Sequence, residues 1–110
     1  MDMTSKNSSK EKSVGVVGMG SFGTAIANIL AEKSKVIAYV RRSEVVDEIN
    51  QKHTVDGAEI NSEIFATQDP EYLCKSCNTI FFMVPSSACQ EVISSFSHFL
   101  YPYHLIIHGT

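Results

Sequence analysis

Residues 13–30 read SVGVVGMGSFGTAIANIL. The first five residues suit a buried strand, glycines follow at 18, 20 and 23, and apolar residues then recur at helical spacing. A bare G-x-G-x-x-G is a weak signal. Placed directly between a strand and a helix, within a strand–helix–strand unit of about thirty residues, it becomes a dinucleotide-binding fingerprint. Gly18 permits the tight turn, Gly20 lets backbone approach a pyrophosphate, and Gly23 lets the helix pack closely on the strand. The N–H groups of Ser21 and Phe22 are then expected to face the phosphates, aided by the helix dipole. The bland alternative is a glycine-rich strand-to-helix turn that binds nothing.

Outward from this stretch, strand-like and helix-like segments alternate. Residues 35–40 (KVIAYV) form the second strand, and Phe22, Ala25, Ile26, Ile29 and Leu30 share one face of the intervening helix. Ser43 is expected to cap a second helix through about His53, with Val45, Val46 and Ile49 as its buried edge. Residues 54–62 read as loop, EIFAT as a short strand, and Pro70 as the first turn of a short helix ending near Cys77. TIFFMV (79–84) is apolar without alternation, as in a strand covered on both faces. A helix carrying Ala88, Val92, Ile93, Phe96, Phe99 and Leu100 follows, then the strand HLIIH. This order predicts an α/β fold: a Rossmann-like, doubly wound parallel sheet of about five strands, incomplete because a sixth strand and its crossover are missing.

Length and composition agree. One hundred and ten residues suffice for one domain, with 44% apolar and 19% charged residues, typical of a soluble globular chain. A net charge of −3 gives no reason to expect nucleic acid as a partner, and no apolar run approaches the about eighteen residues of a membrane span. Residues 1–12 are polar, lack a signal-peptide core and read as a disordered tail ahead of a partial NAD(P)-binding domain over 13–110. An odd count of three cysteines fits reduced thiols in the cytoplasm.

The end of the second strand bears on the ligand. An NAD site usually places Asp or Glu there for the ribose 2′-hydroxyl, but this chain has Arg41 and Arg42, with no acid before Glu44. Two cations ahead of a helix N-terminus are electrostatically misplaced unless an anion docks on them, and the 2′-phosphate of NADP is the natural candidate. NADP or NAD is therefore expected, NADP slightly favoured. Solvated arginines, or one stacking on adenine, are the alternative.

GVVGMGSFGTAIANIL, VIAYVRRSEVVDEIN, ATQDPEYL and NTIFFMVPSSACQEVI resemble, in that order, the N-terminal half of NAD(P)-dependent glycerol-3-phosphate dehydrogenases. Gly18 to Ala25 matches the family's G-x-G-S-aromatic-G-T-A loop, Val84-Pro85-Ser86 its Val-Pro-Ser, and the closing HGT the place where it continues Thr-Lys-Gly. The resemblance implies reduction of dihydroxyacetone phosphate by NAD(P)H to sn-glycerol 3-phosphate for phospholipid synthesis. It places Ser21 and Phe22 on the pyrophosphate, Arg41 and more loosely Arg42 at the adenosine end, and Pro85 and Ser86 on the nicotinamide side. A plain strand-to-helix turn with Ser86 or Ser87 as N-cap is the alternative for that last motif.

Two departures stand out. The loop after His53 is shorter than the family's and reads HTVDGAEINSE, so no substrate role transfers to it. The lysine after Thr110 and the helical second domain with the catalytic lysine are absent, while Lys33, Lys35, Lys52 and Lys75 sit in polar contexts. The chain alone is therefore expected to be catalytically silent, with no catalytic residue and no metal site of its own. The dinucleotide is its expected small-molecule partner, dihydroxyacetone phosphate is a partner only of the whole enzyme, and a homodimer is open to it, with no nucleic acid and no membrane span. Cys74-Lys75-Ser76-Cys77 reads as two small semi-buried residues, with a redox pair or half a zinc site as the alternative, and Cys89 as a small hydrophobe on or beside the apolar face of its helix; the four histidines show no ligand spacing, with His108 nearest the expected cleft. Other readings are a related reductase of ketopantoate, pyrroline-5-carboxylate or 3-hydroxy acid type, or a non-catalytic dinucleotide-binding, redox-sensing module.

Overall fold

A computed structural model of the protein describes residues 13–109, apart from the side chains of Ser86, Ser87 and Cys89. The tail reading for residues 1–12 and the motif position Thr110 lie outside the described residues, as does the side-chain reading for Cys89. Strand β1 (Ser13–Val17) leads through a glycine turn into α1 (Ser21–Leu30), followed by β2 (Val36–Tyr39). Helix α2 (Ser43–Asp47) runs on as a π-helical segment, Glu48–Lys52, into a small hairpin of β3 (Thr54–Val55) and β4 (Ala58–Glu59). Then come β5 (Ile64–Thr67), α3 (Pro70–Ser76) and β6 (Cys77–Phe82). Helix α4 (Ser86–Phe96), a 3-10 turn (Ser97–Phe99) and β7 (Leu105–His108) complete the order.

The main sheet has five strands in the order β5-β2-β1-β6-β7, and every pairing in it is parallel. The chain winds outward from β1 through β2 to β5, then returns to the other side of β1 for β6 and β7. That reversal lies between β1 and β6, and a doubly wound sheet opens a crevice at the carboxyl ends of the strands there.

Both faces of the sheet are covered, so its strands read as apolar runs. Val16 points into one core with Ala27, Ala31, Val36, Ala38, Ile49 and Ile64. Its neighbour Val17 points into the other with Ile37, Leu73, Ile80, Phe82, Val92 and Phe96. Phe96 bridges strands there, meeting Tyr39 and Phe82 edge-on at ring-centroid distances of 5.0 and 5.4 Å. The Phe81-Phe82-Met83 run is sheet core as expected, Phe82 fully buried and its two neighbours partly so on the opposite face.

The expected buried face of α1 is corrected. Gly23 and Ala27 are its buried positions, followed by Ala31 just beyond its end, whereas Phe22, Ala25 and Ile29 are exposed. Small residues spaced by four let the helix lie against the strands, the side chains of Phe22 and Ile29 are rotated outward, and Leu30 packs partly buried against the core. Residues 54–62 are not loop throughout. Asp56 and Gly57 both take positive φ, 53° and 82°, and turn the chain into the β3–β4 hairpin, as a type I′ Asp-Gly pair does. Glu48 holds this hairpin by accepting from the Thr54 hydroxyl at 2.7 Å and the Gly57 N–H at 3.0 Å. Those bonds, the Gly57 N–H foremost, hold the Glu48 carboxyl below its ordinary pKa.

Other boundaries shift by a residue or two. Arg42, not Ser43, occupies the N-cap of α2, its carbonyl accepting from the N–H groups of Val45 and Val46. The fourth strand of the main sheet spans 77–82 rather than 79–84, because the α3 helix hands over to it directly at Cys77.

The edge of β5 is closed by a side chain. Asn50 accepts from the Ala66 N–H at 2.7 Å and donates to the Ala66 carbonyl at 3.1 Å, imitating one rung of a sheet ladder. Asn50→Ala removes both bonds and opens the edge, so a loss of about 1–3 kcal/mol in chemical denaturation is expected. A variant as stable as the parent would show that the rung contributes nothing.

Candidate functional site

The glycine turn is built by close contacts. Gly18 sits at φ +99°, donating to the Tyr39 carbonyl at 3.4 Å, and a Cβ there would lie 2.5 Å from the Met83 carbonyl oxygen. That carbonyl is itself fixed, since the Met83 N–H donates to Val17 O at 2.8 Å. At Gly23 a Cβ would overlap the Gly18 carbonyl oxygen, so α1 touches the turn backbone to backbone. Gly20 is different. Its backbone is extended (φ −76°, ψ −165°), and nothing lies within 4 Å of where its Cβ would be.

Thr24 ties the turn to the helix, its N–H donating to Gly20 O at 2.8 Å and its hydroxyl to Met19 O at 3.2 Å. The N–H groups of Ser21, Phe22 and Gly23 belong to the first turn of α1, which has no intrahelical acceptors to offer them. No side chain caps this end and no acidic residue lies in its first turn, so its positive field is not cancelled. Such an end is suited to an anion.

Beside it lies a cleft of about 290 Å³ at the carboxyl ends of β1, β2 and β6. Val17, Gly18 and Met19 form its floor, with Tyr39, Val40, Arg41, Arg42 and Val45 along one side and Val84, Pro85, Ala88 and Val92 along the other. Of the residues expected from sequence, Gly18, Arg41, Arg42 and Pro85 are thus brought together. Gly20, Ser21, Phe22 and Gly23 follow directly from the floor residue Met19. The Phe22 ring is 59% exposed, so this residue can offer the cleft its N–H but no buried side chain. Pro85 takes the N-cap of α4 with φ −57°, which corrects the alternative of a serine cap; Ser86 is the first helical residue, and its side chain lies outside the described part.

Two polar neighbours hold the arginines, Gln68, which no sequence signal marks, and Glu44, which reads from sequence only as the first acid after them. Gln68 donates from Nε2 to the Arg41 carbonyl at 2.9 Å, tying the arginine turn to the end of β5. Glu44 Oε2 lies 3.3 Å from Arg42 Nε. No local signal marks Gln68, since only the sheet order brings it beside Arg41. Met19 carries no signal of its own, and Val45, Ala88 and Val92 read from sequence only as apolar helix positions; the convergence of the strand ends is what puts them at the cleft.

A larger concavity of about 980 Å³ lies at the opposite end of the sheet, where β1 and β2 begin. It includes Ser13, Lys33, Lys35, Glu63, Phe65 and Tyr72, mixing both charge signs, and no helix begins among its residues. Size alone does not favour it, because its lining has neither the glycine turn nor the uncapped first turn of α1.

The remaining candidates are structural. Cys74 and Cys77 are buried in the core beneath β1, and burial pushes the Cys74 thiol up to about 11, which makes it a poor nucleophile. His104 bridges two segments, accepting from the Tyr101 N–H at 2.8 Å through Nδ1 and meeting Cys74 O at 2.9 Å through Nε2. His108 stacks on Phe82 at 5.9 Å, and among the described residues no three metal-binding side chains gather. No described helix is long and apolar enough to cross a membrane.

The family model described as the NAD-dependent glycerol-3-phosphate dehydrogenase N-terminus matches residues 13–110. The chain belongs to that family. The glycerol-3-phosphate dehydrogenase (NAD(P)+) of Carboxydothermus hydrogenoformans is 33% identical over 99 residues, covering 86% of this chain and 30% of the relative. That of Staphylococcus carnosus is 34% identical over 100 residues, with coverage of 86% and 30%. Among solved structures, glycerol-3-phosphate dehydrogenase from Coxiella burnetii superposes with a TM-score of 0.78 at 28% identity, covering 91% of this chain and 32% of that one. The Plasmodium falciparum structure gives 0.80 at 22% identity, covering 96% and 34%, and bears on the fold. The chain spans about 30% of the length of the curated relatives it matches. As a glycerol-3-phosphate dehydrogenase N-terminal domain it is Rossmann-like, and the family's enzymes are NAD(P)-dependent oxidoreductases.

Proposed function

We propose that this domain holds NADP or NAD with the pyrophosphate over Gly20 and against the N–H groups of Ser21, Phe22 and Gly23. Arg41 and Arg42 take the adenosine end, and Pro85 and Ser86 line the nicotinamide side. One observation carries this reading. Of the three loop glycines, Gly18 and Gly23 are glycine because protein fills the space a Cβ would need, whereas the space over Gly20 is open. A backbone left bare beside unsatisfied N–H groups fits a ligand with phosphate oxygens.

When bound, the nicotinamide supplies a hydride. In the whole enzyme the acceptor would be dihydroxyacetone phosphate, giving sn-glycerol 3-phosphate for phospholipid synthesis in the cytoplasm. Reducing a ketone also needs a proton donor at the forming alkoxide. None of the described lysines lines the cleft: Lys33 and Lys35 border the opposite concavity, and Lys75 pairs with Glu71 at 2.9 Å. The 110-residue chain therefore contributes cofactor binding rather than turnover. The exposed Phe22, Ile29 and Leu105 leave apolar surface on which a homodimer could form.

The arginines set the preference between the two cofactors. Arg41→Ala is expected to weaken NADPH binding about tenfold or more, the worth of one charge-assisted bond to phosphate, while changing NADH binding less than about threefold. Fluorescence titrations at low salt read both. Equal losses for the two cofactors would remove the 2′-phosphate from the account.

A further inference from the structure

We infer that Glu44 is a specificity-determining residue of this cleft, a counter-ion that competes with a 2′-phosphate for Arg42 and so narrows the preference between NADP and NAD. The inference rests on the dinucleotide reading given above. It starts from an asymmetry between the two arginines. The Arg41 turn is anchored through its backbone to Gln68, and among the described residues no carboxylate pairs with the Arg41 guanidinium. Arg42 is claimed, its Nε lying 3.3 Å from Glu44 Oε2 with the two side chains 72% and 70% exposed.

Two other acids, Asp69 and Glu48, are committed elsewhere. Asp69 caps α3 by accepting from the Glu71 N–H at 3.0 Å, and Glu48 holds the hairpin through Thr54 and Gly57. Among the described residues Glu44 is the carboxylate paired with an arginine of the cleft, in the first turn of α2 beside the wall formed by Arg42 and Val45.

A 2′-phosphate carrying a charge of about −1.5 to −2 must take Arg42 from Glu44 and then sit beside the displaced carboxylate. A neutral 2′-hydroxyl asks for neither. Because the ion pair is solvated it breaks easily, so Glu44 tunes the preference and does not abolish NADP binding.

The test is a set of NADPH and NADH titrations of the chain, of Glu44→Gln, and of Glu44→Gln in an Arg42→Ala background. Glu32→Gln, at the far concavity, serves as a control of equal charge change. Glu44→Gln is expected to tighten NADPH on the order of three- to tenfold, leave NADH within about twofold, and lose most of its effect at high salt. The gain is expected to shrink when Arg42 is already alanine. An unchanged NADPH affinity overturns the inference, as does an equal gain for NADH, an equal gain from Glu32→Gln, or a gain of full size without Arg42. A parent chain that binds neither cofactor overturns the dinucleotide reading together with the inference, whereas a parent that binds NADPH while Glu44→Gln leaves it unmoved overturns the inference alone.

Discussion

Gly23→Ala is expected to cost the domain its fold or most of its stability. The added methyl would overlap the Gly18 carbonyl oxygen, and neither partner can yield cheaply. Gly18 is held by its N–H bond to Tyr39, its positive φ and the closeness of Met83, while α1 is held by Ala27 and Ala31 in the core beneath it. Relief requires lifting the helix off β1, which would open the core that Val16 and Val36 share with Ala27. Overpacking ordinarily costs about 1–3 kcal/mol. Backbone against backbone belongs at or above the top of that range. With a domain of this size losing about 4–8 °C per kcal/mol, a midpoint lowered by about 10–20 °C is expected, or no cooperative transition at all. A thermal melt within about 2 °C of the parent would mean that α1 can shift freely, and the close packing claimed for the turn would be wrong.

Gly20→Val is expected to do the reverse, leaving the fold and removing the ligand. The backbone of Gly20 is in a region open to any residue, and the side-chain space is empty. Removing a glycine restricts the unfolded chain while valine makes a poorer N-cap than glycine, so stability should stay within about 1 kcal/mol of the parent. The same side chain would stand where a pyrophosphate must approach the N–H groups of Ser21 and Phe22. Losing two or more charge-assisted bonds, at about 1.5–3 kcal/mol each, corresponds to a fall in NADPH affinity of about a hundredfold or more. The pair of variants separates the roles that one motif combines, with Gly23 serving the fold and Gly20 the ligand. A Gly20→Val chain that keeps both its melt and its NADPH affinity would leave the open space unexplained.

Much of this was legible because the signals were local. A strand running into three spaced glycines and then a helix specifies its own geometry, and the alternation of apolar runs with helical periods fixes a parallel sheet. Pro70 at the start of α3 and the unbroken apolar run of β6 carried their elements correctly. The misreadings came from weighing size over fit. The large side chains of Phe22 and Ile29 suggested the buried face of α1, but a helix this close to its sheet buries glycine and alanine. The hairpin at Asp56-Gly57 had its signal in the Asp-Gly pair, and the two-residue strands beside it were too short to show alternation. The least legible part was the wall of the cleft. Gln68 lies 27 positions from Arg41 and meets it because β5 pairs with β2, a matter of strand order that no local pattern encodes.

A dinucleotide is proposed to bind at the glycine turn and not in the larger concavity at the other end of the sheet. Amide chemical shifts recorded while NADPH is added to the isotopically labelled chain test it most directly. The largest perturbations are expected at the N–H groups of Gly20, Ser21, Phe22 and Gly23, with further shifts at Arg41 and Arg42. Shifts centred on Lys33, Lys35, Glu63 and Tyr72, or a spectrum unmoved at the glycine turn under saturating NADPH, would contradict it.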